Sequence, residues 1–289
     1  MRNHQPLFIL VLLAALFSCG GKSEDSAVTG KAASLDPNVD VKTLQTDFMK
    51  WWTYHSRTIS LSSDFVGMDE LSGTIGKKQF LEKLGTGKYI PVRLASDKKP
   101  ETYQLFKLEG SAHKDIAPTI ENQSLINLKH FNMEGTAFPE FDLTDLAGNH
   151  YTNQSTKGKT LILKTWFIAC KPCLEEMPML NELVGKYSTR DDLVFISLAL
   201  DSQSELEEFL KKREFDYQVV ASQKELIQGK LDLQLYPTHL IINQDGSIAK
   251  VVTKASEMIS YLEGETELAE NNQSLPPPPP PSPSPTTPK

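Results

Sequence analysis

Cysteine is scarce: the 289 residues hold three, at Cys19, Cys170 and Cys173. Two of them stand only two residues apart, so a bridge between them would close almost no loop and add little stability. Close spacing leaves redox chemistry or a metal site as readings. Tetrahedral zinc needs four ligands, and the six histidines (His4, His55, His113, His130, His150 and His239) form no H-x-x-H cluster. No metal is therefore expected, and no cofactor beyond the cysteine pair itself. No long basic run is present and the net charge is −7, which argues against nucleic acid as a partner, since phosphate contacts need clustered Lys and Arg. No apolar run approaches the roughly 20 residues of a membrane-spanning helix. What remains is ordinary for a globular protein, with 23% charged and 39% hydrophobic residues. The length suffices for one full core and a second small domain.

The N-terminus carries Arg2, an apolar run from Leu7 to Phe17, and then Ser18-Cys19-Gly20-Gly21. A positive start, a short apolar core and small residues at the exit form a secretory signal over residues 1–18. Leu16-Phe17-Ser18-Cys19 resembles a bacterial lipobox. That resemblance implies that Cys19 is lipidated, becomes the mature N-terminus and holds the chain to a lipid bilayer. Cys170 and Cys173 would then pair with no thiol left over, outside the cytosol, where a disulfide persists. Residues 19–40 are small and polar and read as a flexible tether. Residues 265–289 include the continuous proline of Pro276 to Pro281 and read as a disordered, polyproline-prone tail; a docking peptide for a proline-reading partner is the sharper alternative.

Two units lie between. Residues 41–130 read as a small α+β unit. Leu44 to Tyr54 has helical spacing with Phe48, Trp51 and Trp52, Lys77 to Leu84 suggests a short helix, and strands are expected at Ile90–Leu94 and Tyr103–Leu105. Trp51-Trp52 reads as core in preference to a ligand platform, and no chemistry is visible in this unit. Residues 131–264 open with a hairpin near Phe138–Asn149. Strands are expected at Thr160–Ile168, Leu193–Leu200, Tyr217–Val220, His239–Ile242 and Ile248–Val252. Helices are expected at Pro172–Tyr187, after a Ser202/Glu205 capping box, at Lys224–Gln228 and at Ala255–Leu262. That order predicts an α/β fold, a mixed sheet with helices on both faces.

The segment Leu161-Ile-Leu-Lys-Thr-Trp-Phe-Ile-Ala-Cys170-Lys-Pro-Cys173 sets C-x-x-C at a strand-to-helix junction. Unpaired N–H groups and the partial positive charge of a helix start favour a thiolate over a thiol. Cys170, at the helix mouth, is the expected nucleophile; Cys173, one turn in, is the resolving thiol. Pro172 fits the first helical turn, where a missing N–H costs nothing. Lys171 lies beside the thiolate and should favour it further.

Trp166 through Pro178, W-F-I-A-C-K-P-C-L-E-E-M-P, resembles the TlpA/ResA-type branch of the thioredoxin superfamily over roughly Phe131 to Gly264. Tyr236-Pro237-Thr238 follows at family spacing. The resemblance implies a thioredoxin-like sheet, a cis-Pro237 packed against the redox pair, and a Tyr236 backbone that pairs with an extended substrate. Trp166 matches the family's earlier tryptophan and should flank the site as packing. Thioredoxins carry a buried Asp six residues before the first cysteine; here that residue is Lys164. The TlpA/ResA type uses a Glu three residues after the second cysteine, and Glu176 stands there. The expectation is that Glu176 accepts the Cys173 proton with Lys164 close enough to pair, against the plainer alternative of a solvated Glu176 and a Lys164 snorkelling to the sheet edge. Ala169 replaces thioredoxin's Trp beside the first cysteine, which leaves substrate choice to other surfaces.

The expected function is that of a membrane-anchored thiol–disulfide oxidoreductase in the cell envelope, facing the periplasm. It would reduce protein disulfides and be recharged by a membrane or thioredoxin-like electron donor; the resemblance adds cytochrome c maturation as a task of the family. Two rivals stand beside it. One is a peroxiredoxin-like thiol peroxidase, though that chemistry wants a Thr three residues before the reactive cysteine, where Phe167 stands. The other is a partner-docking scaffold with secondary redox activity.

Overall fold

The computed structural model describes residues 37, 39–96 and 99–273, with side chains of the last helix described to Gly264. The signal-like segment, Cys19, nearly all of the tether and the proline stretch lie outside the described residues. Those from 37 onward belong to one compact unit. Among the described residues no helix is long and apolar enough to cross a membrane.

The N-terminal half begins with α1 (Val41–Thr46) and α2 (Phe48–Thr58). The single helix expected over Leu44–Tyr54 is divided because Asp47 leaves helical backbone angles and turns its carboxylate onto the Lys50 N–H, capping α2. Strands β1 (Phe65–Met68), β2 (Thr74–Ile75), β3 (Tyr89–Arg93) and β4 (Glu101–Lys107) form a sheet in the order β2-β1-β4-β3, with only β1 and β4 parallel. Helices α2, α3 (Lys77–Leu84) and α4 (Ile116–Met133) cover it, burying Trp51, Phe80, Leu84, Ile90, Ile116 and Ile120. Helix α4 was not expected from the sequence. It runs through the 130/131 boundary drawn there, so the two halves share a helix.

The second half opens with the hairpin β5 (Asp142–Thr144) and β6 (His150–Thr152). Its sheet comprises β7 (Thr160–Trp166), β8 (Leu193–Ala199), β9 (Gln218–Val220), β10 (Thr238–Ile242) and β11 (Ile248–Val252), in the order β11-β10-β7-β8-β9. β7, β8 and β9 are parallel, whereas β10 and β11 run against their neighbours. This is the thioredoxin-like mixed sheet. Its central strand, β7, is buried on both faces, Lys164 and Thr165 included. Ile162, Trp166 and Ile241 face one layer with α5 (Lys171–Glu175), α6 (Met177–Lys186), α7 (Gln203–Leu210) and α8 (Ala255–Gln273). Leu161, Leu163 and Leu240 face the other, under the hairpin and a π-helical turn at Glu225–Lys230.

The helix expected over Pro172–Tyr187 is broken at Glu176 into α5 and α6. Pro178 is the cause: it has no N–H for the Leu174 carbonyl four residues back. Arg213 Nη1 takes that carbonyl instead, at 2.9 Å.

Candidate active site

The loop from β7 into α5 carries the two cysteines. They form a disulfide, S–S 2.03 Å. Cys170 is the N-cap of α5, and the Cys173 N–H points at its sulfur from 3.3 Å. This donor would stabilise a Cys170 thiolate once the bridge opens. Cys170 is 6% exposed and Cys173 fully buried. Pro172 sits in the first turn of α5. The exposed Lys171 ammonium is drawn toward Glu175, 3.6 Å away, so its field on the sulfur is shared and screened by water.

Trp166 is fully buried, tilted against Phe209 and edge-on to Phe215, in the same apolar cluster as both cysteines. The Tyr236-Pro237 bond is cis, as the resemblance implied. The Tyr236 ring meets Phe167 edge-to-face at 5.4 Å, and its hydroxyl accepts from Gln228 Nε2 at 3.1 Å. Asp201, at the end of β8, accepts the Ile168 N–H at 2.8 Å and so fixes the cysteine loop from below.

The least predictable arrangement lies behind Cys173. Lys164 on β7 and His239 on β10 are register partners, both fully buried on the face that carries α5 and α6. The kink at Glu176 turns its carboxylate onto them. Oε2 accepts from Lys164 Nζ at 2.9 Å and pairs with His239 Nε2 at 3.0 Å, while Oε1 accepts the Ala255 N–H at the start of α8 at 2.9 Å. A solvated Glu176 and a Lys164 at the sheet edge are thereby excluded. Sequence reading had placed Glu176 and Lys164 together but missed His239.

Burial by itself would raise the Glu176 carboxyl. The His239 hydrogen bond, the neighbouring positive charge and the Ala255 N–H overrule it and hold the group down at about 2. Burial pushes His239 below its ordinary value despite the carboxylate, so the imidazole is neutral at neutral pH and donates from Nε2. Its Nδ1 has no hydrogen-bond partner among the described residues. Burial also lowers Lys164, against the pull of Glu176. Tyr217, buried and with an unpartnered hydroxyl, is raised by burial and then by the Glu176 charge. The site thus holds a nearly buried disulfide at a helix start and, three residues on, a partly buried carboxylate ringed by donors.

Comparison with known proteins gives matches over the second half. Residues 135–251 match the AhpC/TSA family. Thiol-disulfide oxidoreductase ResA of Bacillus cereus is 30% identical over 118 residues, covering 41% of this chain and 68% of that protein. Thioredoxin-like protein YneN of Bacillus subtilis (strain 168) is 28% identical over 120 residues, 41% of this chain and 70% of the relative. Among solved structures, a thiol-disulfide oxidoreductase from Bacteroides fragilis NCTC 9343 superposes with a TM-score of 0.41 at 18% identity, over 45% of this chain and 99% of that one.

Proposed function

This chain belongs to the ResA family of thiol–disulfide oxidoreductases, and on that premise we propose that it reduces protein disulfides in the cell envelope, held to the membrane by a lipid on Cys19. The observation that carries the redox part is the Cys170–Cys173 bridge at the mouth of α5 beside cis-Pro237. The Cys170 thiolate attacks one sulfur of a substrate disulfide and expels the other as a thiolate. Cys173, deprotonated, attacks Cys170 Sγ and releases the second substrate thiolate. Substrate gains two electrons and two protons, and the enzyme is left with its bridge closed. A dithiol donor, on a membrane protein or a second thioredoxin-like protein, reopens that bridge. Maturation of cytochrome c is one task that fits such a reductant.

Glu176 takes the Cys173 proton in this scheme. The three donors on its carboxylate make it a weak base, so the proton goes on to the departing substrate thiolate, and the substrate's other proton comes from solvent. Anchoring rests on Leu16-Phe17-Ser18-Cys19 alone. Radiolabelled palmitate incorporation into the full chain, lost in Cys19→Ala, tests it.

For the redox reading, the test is capture with Cys173→Ala, which leaves Cys170 in stable mixed disulfides. Envelope proteins released by reductant and identified by mass spectrometry support it; an empty trap sinks it. The AhpC/TSA match gives a thiol peroxidase standing as a second reading. Phe167 occupies the place where that chemistry needs a Thr, and a peroxide-consumption assay on the reduced protein separates the two.

A further inference from the structure

His239 uses only half of its hydrogen-bonding capacity. Within the cluster behind Cys173, Glu176 spends Oε2 on Lys164 and His239, and Oε1 on the Ala255 N–H. Lys164 gives its ammonium to the carboxylate. His239 meets Glu176 through Nε2. Its side chain is fully buried, and Nδ1 has no hydrogen-bond partner among the described residues. Such nitrogens are uncommon, because buried polar atoms are nearly always paired. What an imidazole adds over other donors is a second nitrogen. That nitrogen can take a proton near neutral pH without disturbing the bond made by the first.

The charges around His239 balance while the bridge is closed. Lys164 on β7 is positive and Glu176 negative. The imidazole is neutral because burial, with the Lys164 ammonium, outweighs the pull of Glu176 and of Glu257 on α8. Val252, its register partner on β11, brings no charge. Opening the bridge changes this sum. Cys170 and Cys173 belong to the apolar cluster that also holds Val252 and Ala255, so a thiolate formed there is a net negative charge in a poorly polarisable layer. Such a charge favours the protonated form of a nearby base. Lys164 already carries its proton and Glu176 is held by three donors, so the open Nδ1 is where a compensating proton fits.

We propose that His239 is a redox-linked proton site: it takes up a proton at Nδ1 when the Cys170–Cys173 bridge is reduced and gives it back when the bridge closes. The proposal rests on the redox reading above. Two electrons from the dithiol donor open the bridge. Cys170 is left as the thiolate, one proton stays on Cys173, and a second goes from solvent to His239. These match the two protons that the donor loses on forming its own disulfide. When the bridge closes on substrate, the His239 proton returns to solvent. Linkage makes the effect mutual: an imidazolium favoured by reduction favours the reduced form by the same factor.

The test compares the disulfide and dithiol forms of the full chain. Histidine is labelled with nitrogen-15, and the ring nitrogens are followed by NMR between about pH 5 and 8. The His239 signals are those lost in His239→Gln, or in His239→Asn if the first variant does not fold by circular dichroism. The imidazole should titrate at higher pH in the dithiol form, with the new proton on the nitrogen away from Glu176. Exchange equilibrium with dithiothreitol gives a second readout. Between the two titrations the wild type should take up as much as one more proton on reduction than the variant. Its equilibrium constant should then change by as much as about tenfold more per pH unit, or about 30 mV. A His239 titration that is the same in both forms overturns the proposal, as does an imidazole that stays neutral in both, or a variant with the wild-type pH slope. Without either variant the wild-type spectra still decide: if no histidine titration depends on the state of the bridge, the proposal falls. A bridge that dithiothreitol cannot open overturns the redox reading itself, and the proton site with it.

Discussion

In the N-terminal half, His55 and His130 are buried, and among the described residues neither ring Nδ1 has a hydrogen-bond partner. Burial brings both down to about 4, so they carry no charge at neutral pH. In the redox half, Lys164 and His239 are buried as completely, but they meet Glu176. There the carboxylate stays ionised inside the protein, held by an ammonium, an imidazole and a helix-start N–H. The contrast shows two outcomes of the same desolvation cost. A buried base without an acid gives up its proton; an acid gathered among donors keeps its charge.

The largest expected break in this contrast is chemical. Cys170→Ser should lose reduction of 5,5′-dithiobis(2-nitrobenzoate) by about a thousandfold or more, while His55→Phe stays within about twofold. Next comes Glu176→Gln, for which release of the second thiol from a mixed disulfide should slow by about 10- to 100-fold near pH 6. The deficit should narrow toward about pH 9, where hydroxide can take the proton in place of the carboxylate. A variant with wild-type rates across that range would exclude Glu176 as the proton acceptor.

Stability separates the halves further. Glu176→Leu leaves Lys164 buried without its counter-charge and should cost about 3–5 kcal/mol in urea denaturation. His130→Phe removes an unpaired buried nitrogen and should fall within about 1 kcal/mol of wild type, on either side. The pH response has matching signs. His55 and His130 titrate lower folded than the ordinary 6.5, so the unfolded chain binds more protons below it. Stability should therefore fall as pH drops from about 6.5 to 4, and the double variant His55→Phe/His130→Phe should flatten that limb. Glu176 is depressed from 4.5 to about 2; its contribution is complete above 4.5 and disappears as pH falls through about 2. Hydrogen exchange against pH would show the N-terminal half loosening first. The smallest effect is expected at Lys171→Ala, under about 0.5 kcal/mol, because its exposed pair with Glu175 is screened.

Much of the redox half was legible because its strands are continuous apolar runs and its turn and cap residues agree with them. The C-x-x-C, Pro172 and the Ser202/Glu205 capping box lie where local chemistry demands, whereas cis-Pro237 was legible only through the family resemblance. Three features were not legible, each for a different reason. Helix α4 buries Ile116, Ile120, Ser124 and His130; two polar residues in the buried stripe and Pro118 in the first turn hide its period. The α5–α6 break was written in Pro178, but a proline two residues into a helix also reads as an ordinary start. His239 was hidden by distance, since its partner lies 63 positions away. The available signal was the pair of basic residues in two strands that otherwise hold only apolar residues and threonine: Lys164 and His239 on adjacent strands need a shared acid, and Glu176 supplies it.

The start of α8 does two jobs within the four residues from Lys254 to Glu257. Ala255 gives its N–H to Glu176. Glu257 receives the hydroxyls of Ser60 and Ser62 from the N-terminal half, and Lys254 reaches the Ser56 carbonyl at 3.3 Å. A rigid turn has one position, so the seat of the redox carboxylate and the mooring of the neighbouring half are set by the same few atoms. An evolutionary change that re-seats the N-terminal half on α8 therefore also moves a donor of the active-site acid, and the two halves are bound to drift together or not at all.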